Sequence, residues 1–401
     1  MGIKKLFTFL DNNNIYKLYP FINDLLNDLK IDKNKALIGI DGNLYCYKYS
    51  HSYDNMLIGF YNQIIKFLSN GIYPFYIFDG GTLLEKENTI MLRNHKKNIN
   101  KYKLEKIKEE ILNNEEDVEL SLIKKKIEKN IIRISSSEIN KLIDLLDLLN
   151  IPYIFSHGEG EYLAVLLNKY NFIDMFLSDD TDPIPAGINK IIKFYSNNVM
   201  YLDINNIFNV LEINNEQLCD FSILLGTDYA IFKHGLKPCE ILILIKKYNN
   251  IETIMNHLKI NNELLNNEQK NEMLLLVNKI RNIYNNSANN EKLLLINPNT
   301  KVNNFNINVI SNINNINLYS NTLLEFWDNF IELLSINSIN NEELIIKLSI
   351  DLKNNIIKFI KNKKINVKKI INFLKNNVSD ITYEEIQNAT ISFNYLNEFN
   401  I

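Results

Sequence analysis

Five carboxylates gather at the two ends of one short stretch, His157 to Asp182: Glu159 and Glu161 near its start, and Asp179, Asp180 and Asp182 at its end. Between them lie an apolar run with helical spacing and a shorter apolar run with strand character, which would fold the two groups back toward one spot. Crowded carboxylates repel one another and raise one another's pKa, so such a cluster persists when cations neutralise it. No Cys contributes, and His157 reads as structural, so the donor set is oxygen only. Oxygen donors suit hard divalent cations, Mg²⁺ above all.

The elements around this stretch decide whether more acids join it. ALIGID (36–41) reads as a buried strand ending on Asp41, a helical pattern covers 54–68, and YPFYIF (73–78) reads as a second buried strand followed by Asp79. PYIF (152–155), a helix opening at Glu159, and DMFLS (174–178) continue the alternation. The fold class expected is therefore α/β, a parallel sheet with helices on both faces, in which ligands bind beyond the carboxyl ends of the strands. Asp41, Asp79 and the 179–182 acids would share that edge.

Residues 84–135 interrupt the pattern with charge. Between 93 and 133 there are twelve Lys and Arg against eight acids, a local net of +4, which reads as a solvated helical insertion set above the acidic edge. Over the whole chain 44 basic residues nearly balance 47 acidic ones, so net charge alone names no polyanionic partner. Three isolated cysteines, with no CxxC pair, exclude a zinc ribbon and a disulfide framework and fit a reducing, intracellular compartment. No apolar run is long enough to span a membrane, so no membrane partner is expected. The abundance of Asn, Ile and Lys, densest over 303–322, reflects compositional bias.

Further on, 190–203 reads as a hairpin turning at Asn197-Asn198, and 216–229 as a helix broken at Gly226 that delivers Asp228. The run 234–248 resumes as a helix after the Gly235 turn, giving a helix-turn-helix that could present backbone N–H groups and Lys237 to a phosphate backbone. Helical patterns follow at 251–258, 268–285, 323–335, 343–363 and 366–376. The organisation expected is 1–83 and 136–258 as two parts of one α/β unit, the insertion 84–135 between them, and a helical region over 259–401.

MGI at the start, IDGNLYCY at Asp41, GIYPFYIFDG at Asp79, GEGE at Glu159 and Glu161, SDDTD at Asp180 and Asp182, and LLGTDY at Asp228 resemble the flap endonuclease/XPG family of structure-specific 5′ nucleases. The resemblance runs from Met1 to about Ile254. It implies a PIN-like nuclease core with a helical arch at 84–135. It also implies two Mg²⁺ ions, with Mn²⁺ as a substitute: Asp41, Asp79, Glu159 and Glu161 would serve one, and Asp180, Asp182 and Asp228 the other. Asp179 would stand aside. Lys86 and Arg93, seven residues apart on one helix face, match the basic pair that reaches the scissile phosphate in this family. Tyr47 matches a tyrosine that stacks on a base beside the cut, against the alternative of a core aromatic. Gly2, Gly235 and Lys237 would also meet DNA.

Two departures modify this expectation. Gly235-Leu236-Lys237-Pro238 stands where the family carries Gly-Ile-Gly-Pro, so a monovalent cation held by the turn gives way to direct contact from Lys237. The span from Asp41 to Asp79 is short, so the element that opens the duplex junction is reduced. The activity implied is hydrolysis of DNA bearing a 5′ single-stranded arm, in replication, repair or recombination. The alternatives are a DNA-binding scaffold, or an RNA-directed or processive 5′ exonuclease. A sliding clamp is a partner of the family, yet Gln387–Tyr395 lacks the apolar pattern that clamp binding wants. MGIKKL, the long charged insertion and the compositional bias look similar to members encoded by large DNA viruses; the compartment expected is the nucleus or, for a viral member, a cytoplasmic virus factory.

Overall fold

A computed structural model of the protein describes residues 2–53, 55–80, 86–113, 118–156, 158–260, 263–296, 342–362 and 366–378. Met1, His157, the Asn-rich 303–322, the expected helix at 323–335 and Gln387–Tyr395 lie outside the described residues.

The chain opens with α1 (Leu6–Asn12), β1 (Lys17–Tyr19) and α2 (Ile22–Asp28), then enters the sheet with β2 (Ala36–Asp41), α3 (Gly42–Ser52), α4 (Met56–Ser69) and β3 (Ile72–Phe78). The charged insertion folds as α5 (Glu87–Asn113) and α6 (Val118–Asn130), packed on each other. Next come α7 (Ser136–Leu149), β4 (Tyr153–Phe155), α8 (Gly160–Lys169), β5 (Met175–Leu177), β6 (Lys190–Tyr195), β7 (Asn198–Asp203), α9 (Ile204–Leu211), α10 (Asn215–Leu225), α11 (Pro238–Tyr248) and α12 (Ile251–Ile254). A two-stranded ribbon, β8 (Lys259–Ile260) with β9 (Glu263–Leu264), leads into α13 (Asn267–Ile296), α14 (Glu342–Asn362) and α15 (Val367–Asn377).

The main sheet has the order β1-β7-β6-β5-β2-β3-β4. Strands β6, β5, β2, β3 and β4 are parallel, while β7 and β1 add an antiparallel edge, so the expected parallel sheet is in fact mixed. That edge follows from the β6–β7 hairpin, whose two-residue link must reverse the chain. Ser196 takes the left-handed conformation there (φ 53°), so the turn is Ser196-Asn197, one residue earlier than expected.

Period-two alternation sends Leu37, Phe75 and Ile77 to one face and Ile38, Ile40, Tyr76 and Phe78 to the other. The first face packs against α8, α10 and α13, and the second against α4, α7 and α15. From β2 the chain steps outward to β3 and β4, then returns to β2's other side for β5 and β6. A crevice opens at such a reversal, at the carboxyl ends of the strands. Asp41 closes β2, Asp79 follows β3, and Ser178–Asp182 follow β5, so acids border the reversal on both sides.

Helix α14 belongs to this core. Its Lys353 donates to Asp174 Oδ1 at 2.9 Å, both side chains largely buried, while Asp174 Oδ2 accepts from Leu37 N at 2.8 Å. Removing one partner of such a pair strands the other charge. Lys353→Ala is therefore expected to cost about 3 kcal/mol, read as a lower urea midpoint; an unchanged midpoint would show that α14 does not hold the sheet.

Candidate metal centre

Each acid reaches the sheet edge by a local device. Asp41 caps α3: its Oδ1 accepts from Leu44 N and its Oδ2 from Ser178 Oγ, each at 2.9 Å. Asp79 accepts from Gly160 N and from Asn43 Nδ2, each at 2.7 Å. Glu159 is the N-cap of α8 and Glu161 lies in its first turn, where the helix end favours negative charge. Asp180 Oδ1 accepts from the N–H groups of Thr181 (2.7 Å) and Asp182 (3.3 Å). Asp228 arrives after Gly226 (φ 100°) ends α10.

Among the described residues, Glu161, Asp180 and Asp182 each offer an oxygen, and these oxygens lie within 4.8 Å of one another. This trio crosses the division expected from the resemblance, because it joins Glu161 to Asp180 and Asp182. Asp182 is fully buried and its Oδ2 has no hydrogen-bond partner. A buried, unsatisfied carboxylate oxygen is costly, and a cation is the partner that fits it. The oxygen-only donor set suits a hard divalent ion. Asp179 turns away from the trio and pairs with Lys48 at 3.1 Å.

Two cations of the insertion enter the same edge. Lys86 Nζ contacts Glu159 Oε2 (2.5 Å), Glu161 Oε1 (3.4 Å) and Asp182 Oδ2 (3.5 Å), and lies 5.2 Å from the centre of the Tyr229 ring. Arg93 pairs with Asp228 Oδ2, and Thr89 Oγ1 donates to the Asp228 carbonyl. Residues 86, 89 and 93 share one helical face, so the foot of the insertion is fastened to the acidic edge.

Electrostatics follow from burial and crowding. Burial, aided by Asp79, pushes Asp41 up to about 7. Burial and Asp180 push Asp182 up to about 7, and burial pushes Asp79 up to about 6. Glu161 is raised well above the carboxylate range by burial, against the lowering pull of Lys86. Burial alone would lower Lys86, but Glu161 and Asp182 hold it above the ordinary lysine value, so it stays a cation.

These shifts set a sign. The folded protein keeps protons on Asp41, Asp79 and Asp182 that the unfolded chain gives up above about pH 4. Stability contributed by these groups is complete below that point and is lost as pH rises through about 6 to 7. In EDTA the urea midpoint is thus expected to fall between about pH 5.5 and about pH 8, while the gain from added Mg²⁺ grows over the same interval as the ion displaces protons. A midpoint in EDTA that climbs across this interval would contradict the assignment.

The remaining expected residues divide. Tyr47 is 40% exposed on α3, with Lys97 Nζ 5.5 Å from its ring centre, so it is not a core aromatic. Gly2 is buried rather than presented to DNA. Its φ is +79°, and a Cβ there would lie 2.0 Å from Asp180 Oδ1, so only glycine lets the N-terminus close over that acid. Gly235 (φ +72°) and Lys237 are exposed in the turn before α11. Glu240 Oε2 accepts from Lys237 N at 2.7 Å, so the N–H of the residue that caps α11 is met within the chain.

Sequence reading missed three contributors. His234 ties the turn together: its Nδ1 accepts from Leu236 N (3.1 Å), which assigns the proton to Nε2 and makes that atom the donor to Leu224 O (2.8 Å). Tyr229 backs Lys86 and shares a 2.5 Å hydrogen bond with Tyr162. Tyr284 of α13 brings its hydroxyl to Asp182. The TDY run was a signal for Tyr229; neither His234 nor Tyr284 has a local one.

Comparison with known proteins gives this arrangement relatives. Residues 1–100 match the XPG N-terminal domain and residues 150–228 the XPG I-region. Flap endonuclease 1 of Sulfolobus acidocaldarius is 31% identical over 214 residues, covering 49% of this chain and 58% of the relative. That of Picrophilus torridus is 27% identical over 252 residues, covering 59% and 70%. The chain spans about half the length of most of these curated relatives. In fold it is similar to the catalytic core of Rad2 in complex with DNA substrate, with a TM-score of 0.52 at 15% identity over 98% of this chain and 100% of that one.

Proposed function

We propose that this chain, which matches the XPG N-terminal domain over residues 1–100 and the XPG I-region over 150–228, is a structure-specific 5′ nuclease of the flap endonuclease/XPG family that hydrolyses DNA phosphodiesters at flaps or related junctions with two Mg²⁺ ions. The observation that carries this reading is the Glu161–Asp180–Asp182 trio, with Glu161 and Asp182 buried, an Asp182 oxygen that lacks a hydrogen bond, and Lys86 and Arg93 at its rim.

Bound divalent ions would supply a hydroxide nucleophile and stabilise the attacking and leaving oxygens. Glu161, Asp180 and Asp182 would hold one ion and Asp41, Asp79, Glu159 and Asp228 the rest of the charge, some through water. Lys86, kept protonated by its acidic neighbours, adds positive charge where the phosphoryl oxygens gain negative charge. Arg93, half exposed on α5, can leave Asp228 to meet the same phosphate. Tyr47 offers an exposed ring on α3 on which an unpaired base can stack. Lys237 and the Gly235 turn lie on the exposed helix-turn-helix, suited to the phosphates of the duplex arm.

The test is a panel of 5′ flap, nicked duplex, Holliday junction, single-stranded DNA and RNA, each with Mg²⁺ and with EDTA. The 5′-armed DNA should be cut to 5′-phosphate and 3′-hydroxyl ends with Mg²⁺ and left whole in EDTA. Binding without cleavage of any member would favour the scaffold, and cleavage of RNA alone would favour the RNA-directed enzyme.

A further inference from the structure

We propose that α13 completes the metal centre, with Tyr284 as a positioning residue that orients the Asp182 carboxylate on a helix fastened to the helix-turn-helix by Arg281. This rests on the metal reading above. Tyr284 lies beyond both matched family regions, 102 residues from Asp182.

The geometry divides the two oxygens of Asp182. Oδ1 has the Tyr284 hydroxyl at 3.4 Å, a long hydrogen bond, whereas Oδ2 points to Lys86 Nζ and has no hydrogen bond. A donor on Oδ1 fixes the carboxylate plane and leaves Oδ2 directed at the cation position. Tyr284 cannot drift, being 1% exposed and set edge-to-face against Tyr229, with ring centres 5.9 Å apart. Tyr229 in turn bonds Tyr162 on α8, the helix that carries Glu161.

The helix itself is locked one turn earlier. Arg281 Nε and Nη2 donate to the two Asp220 oxygens of α10 (2.7 and 2.6 Å), and Nη1 and Nη2 donate to Glu252 of α12 (2.5 and 3.0 Å). Asp220 Oδ2 also accepts from Ile251 N at 3.0 Å. One face of α13 thus grips the element proposed to hold duplex DNA, while its next turn touches a metal ligand. A planar guanidinium is the group that can serve two carboxylates in fixed directions.

Groups that orient a metal ligand from behind typically change metal affinity by about 10- to 100-fold when removed. Tyr284→Phe deletes only the hydroxyl, and calorimetric titration of the full chain with Mn²⁺, without DNA, reads the effect directly. We expect about tenfold weaker Mn²⁺ binding with the thermal midpoint in EDTA close to wild type. Tyr284→Leu, which also loses the ring edge, should weaken binding and lower that midpoint. Equal Mn²⁺ affinity of Tyr284→Phe and wild type would overturn the proposal while leaving the metal reading intact. So would a fall in the EDTA midpoint for Phe as large as for Leu, because the hydroxyl would then act through packing. Absence of Mn²⁺ binding by wild type would overturn both.

Discussion

Asp182→Asn is expected to slow cleavage of 5′-armed DNA by at least about 10³-fold, about 4 kcal/mol of transition-state stabilisation, while leaving the protein folded. Asp182 is fully buried, its Oδ2 lacks a hydrogen bond, and its pKa is driven up by burial and by Asp180. An amide keeps the shape and can still accept from Tyr284, but it removes one negative charge from a crowded set. The thermal midpoint in EDTA near pH 8 should therefore equal or exceed wild type even as activity vanishes, the trade expected where a site is built against local stability. DNA affinity should change little. Wild-type cleavage by the variant would remove Asp182 from the chemistry, and a lower midpoint in EDTA would mean that the acids do not strain the metal-free protein.

Lys86→Ala separates two roles for a lysine that touches three acids. If Lys86 adds charge at the scissile phosphate, turnover should fall about 10²-fold, about 3 kcal/mol, with little loss of DNA affinity. The same substitution strips Glu159, Glu161 and Asp182 of their shared ammonium, so the midpoint in EDTA should drop and Mg²⁺ should restore much of it. Equal losses in turnover and affinity would show that Lys86 only grips the DNA backbone.

Much of this centre was legible along the chain, because acids that end parallel strands land on one edge whatever the loops do. Asp41, Asp79 and Asp180 needed only the strand pattern to be brought together. The grouping of Glu161 with Asp180 and Asp182 was not legible, since it depends on how α8 leans over the β5 loop. Nor was the mixed character of the sheet: β1 is three residues long and carries little apolar signal, although the hairpin that creates the edge was visible. Helix α3 went unseen because Gly42–Ser52 has almost no apolar stripe; Asp41 starts it by capping. Tyr284 and Arg281 act across separations of 102 and 61 residues, where periodicity says nothing.

Diffraction from crystals soaked in Mn²⁺, with anomalous scattering used to locate the ions, tests the central claim most directly. Two peaks are expected at the carboxyl edge of the sheet, one of them within about 2.6 Å of oxygens of Glu161, Asp180 or Asp182. Ions bound only elsewhere, or none with the seven acids intact, would contradict a metal-dependent nuclease centre.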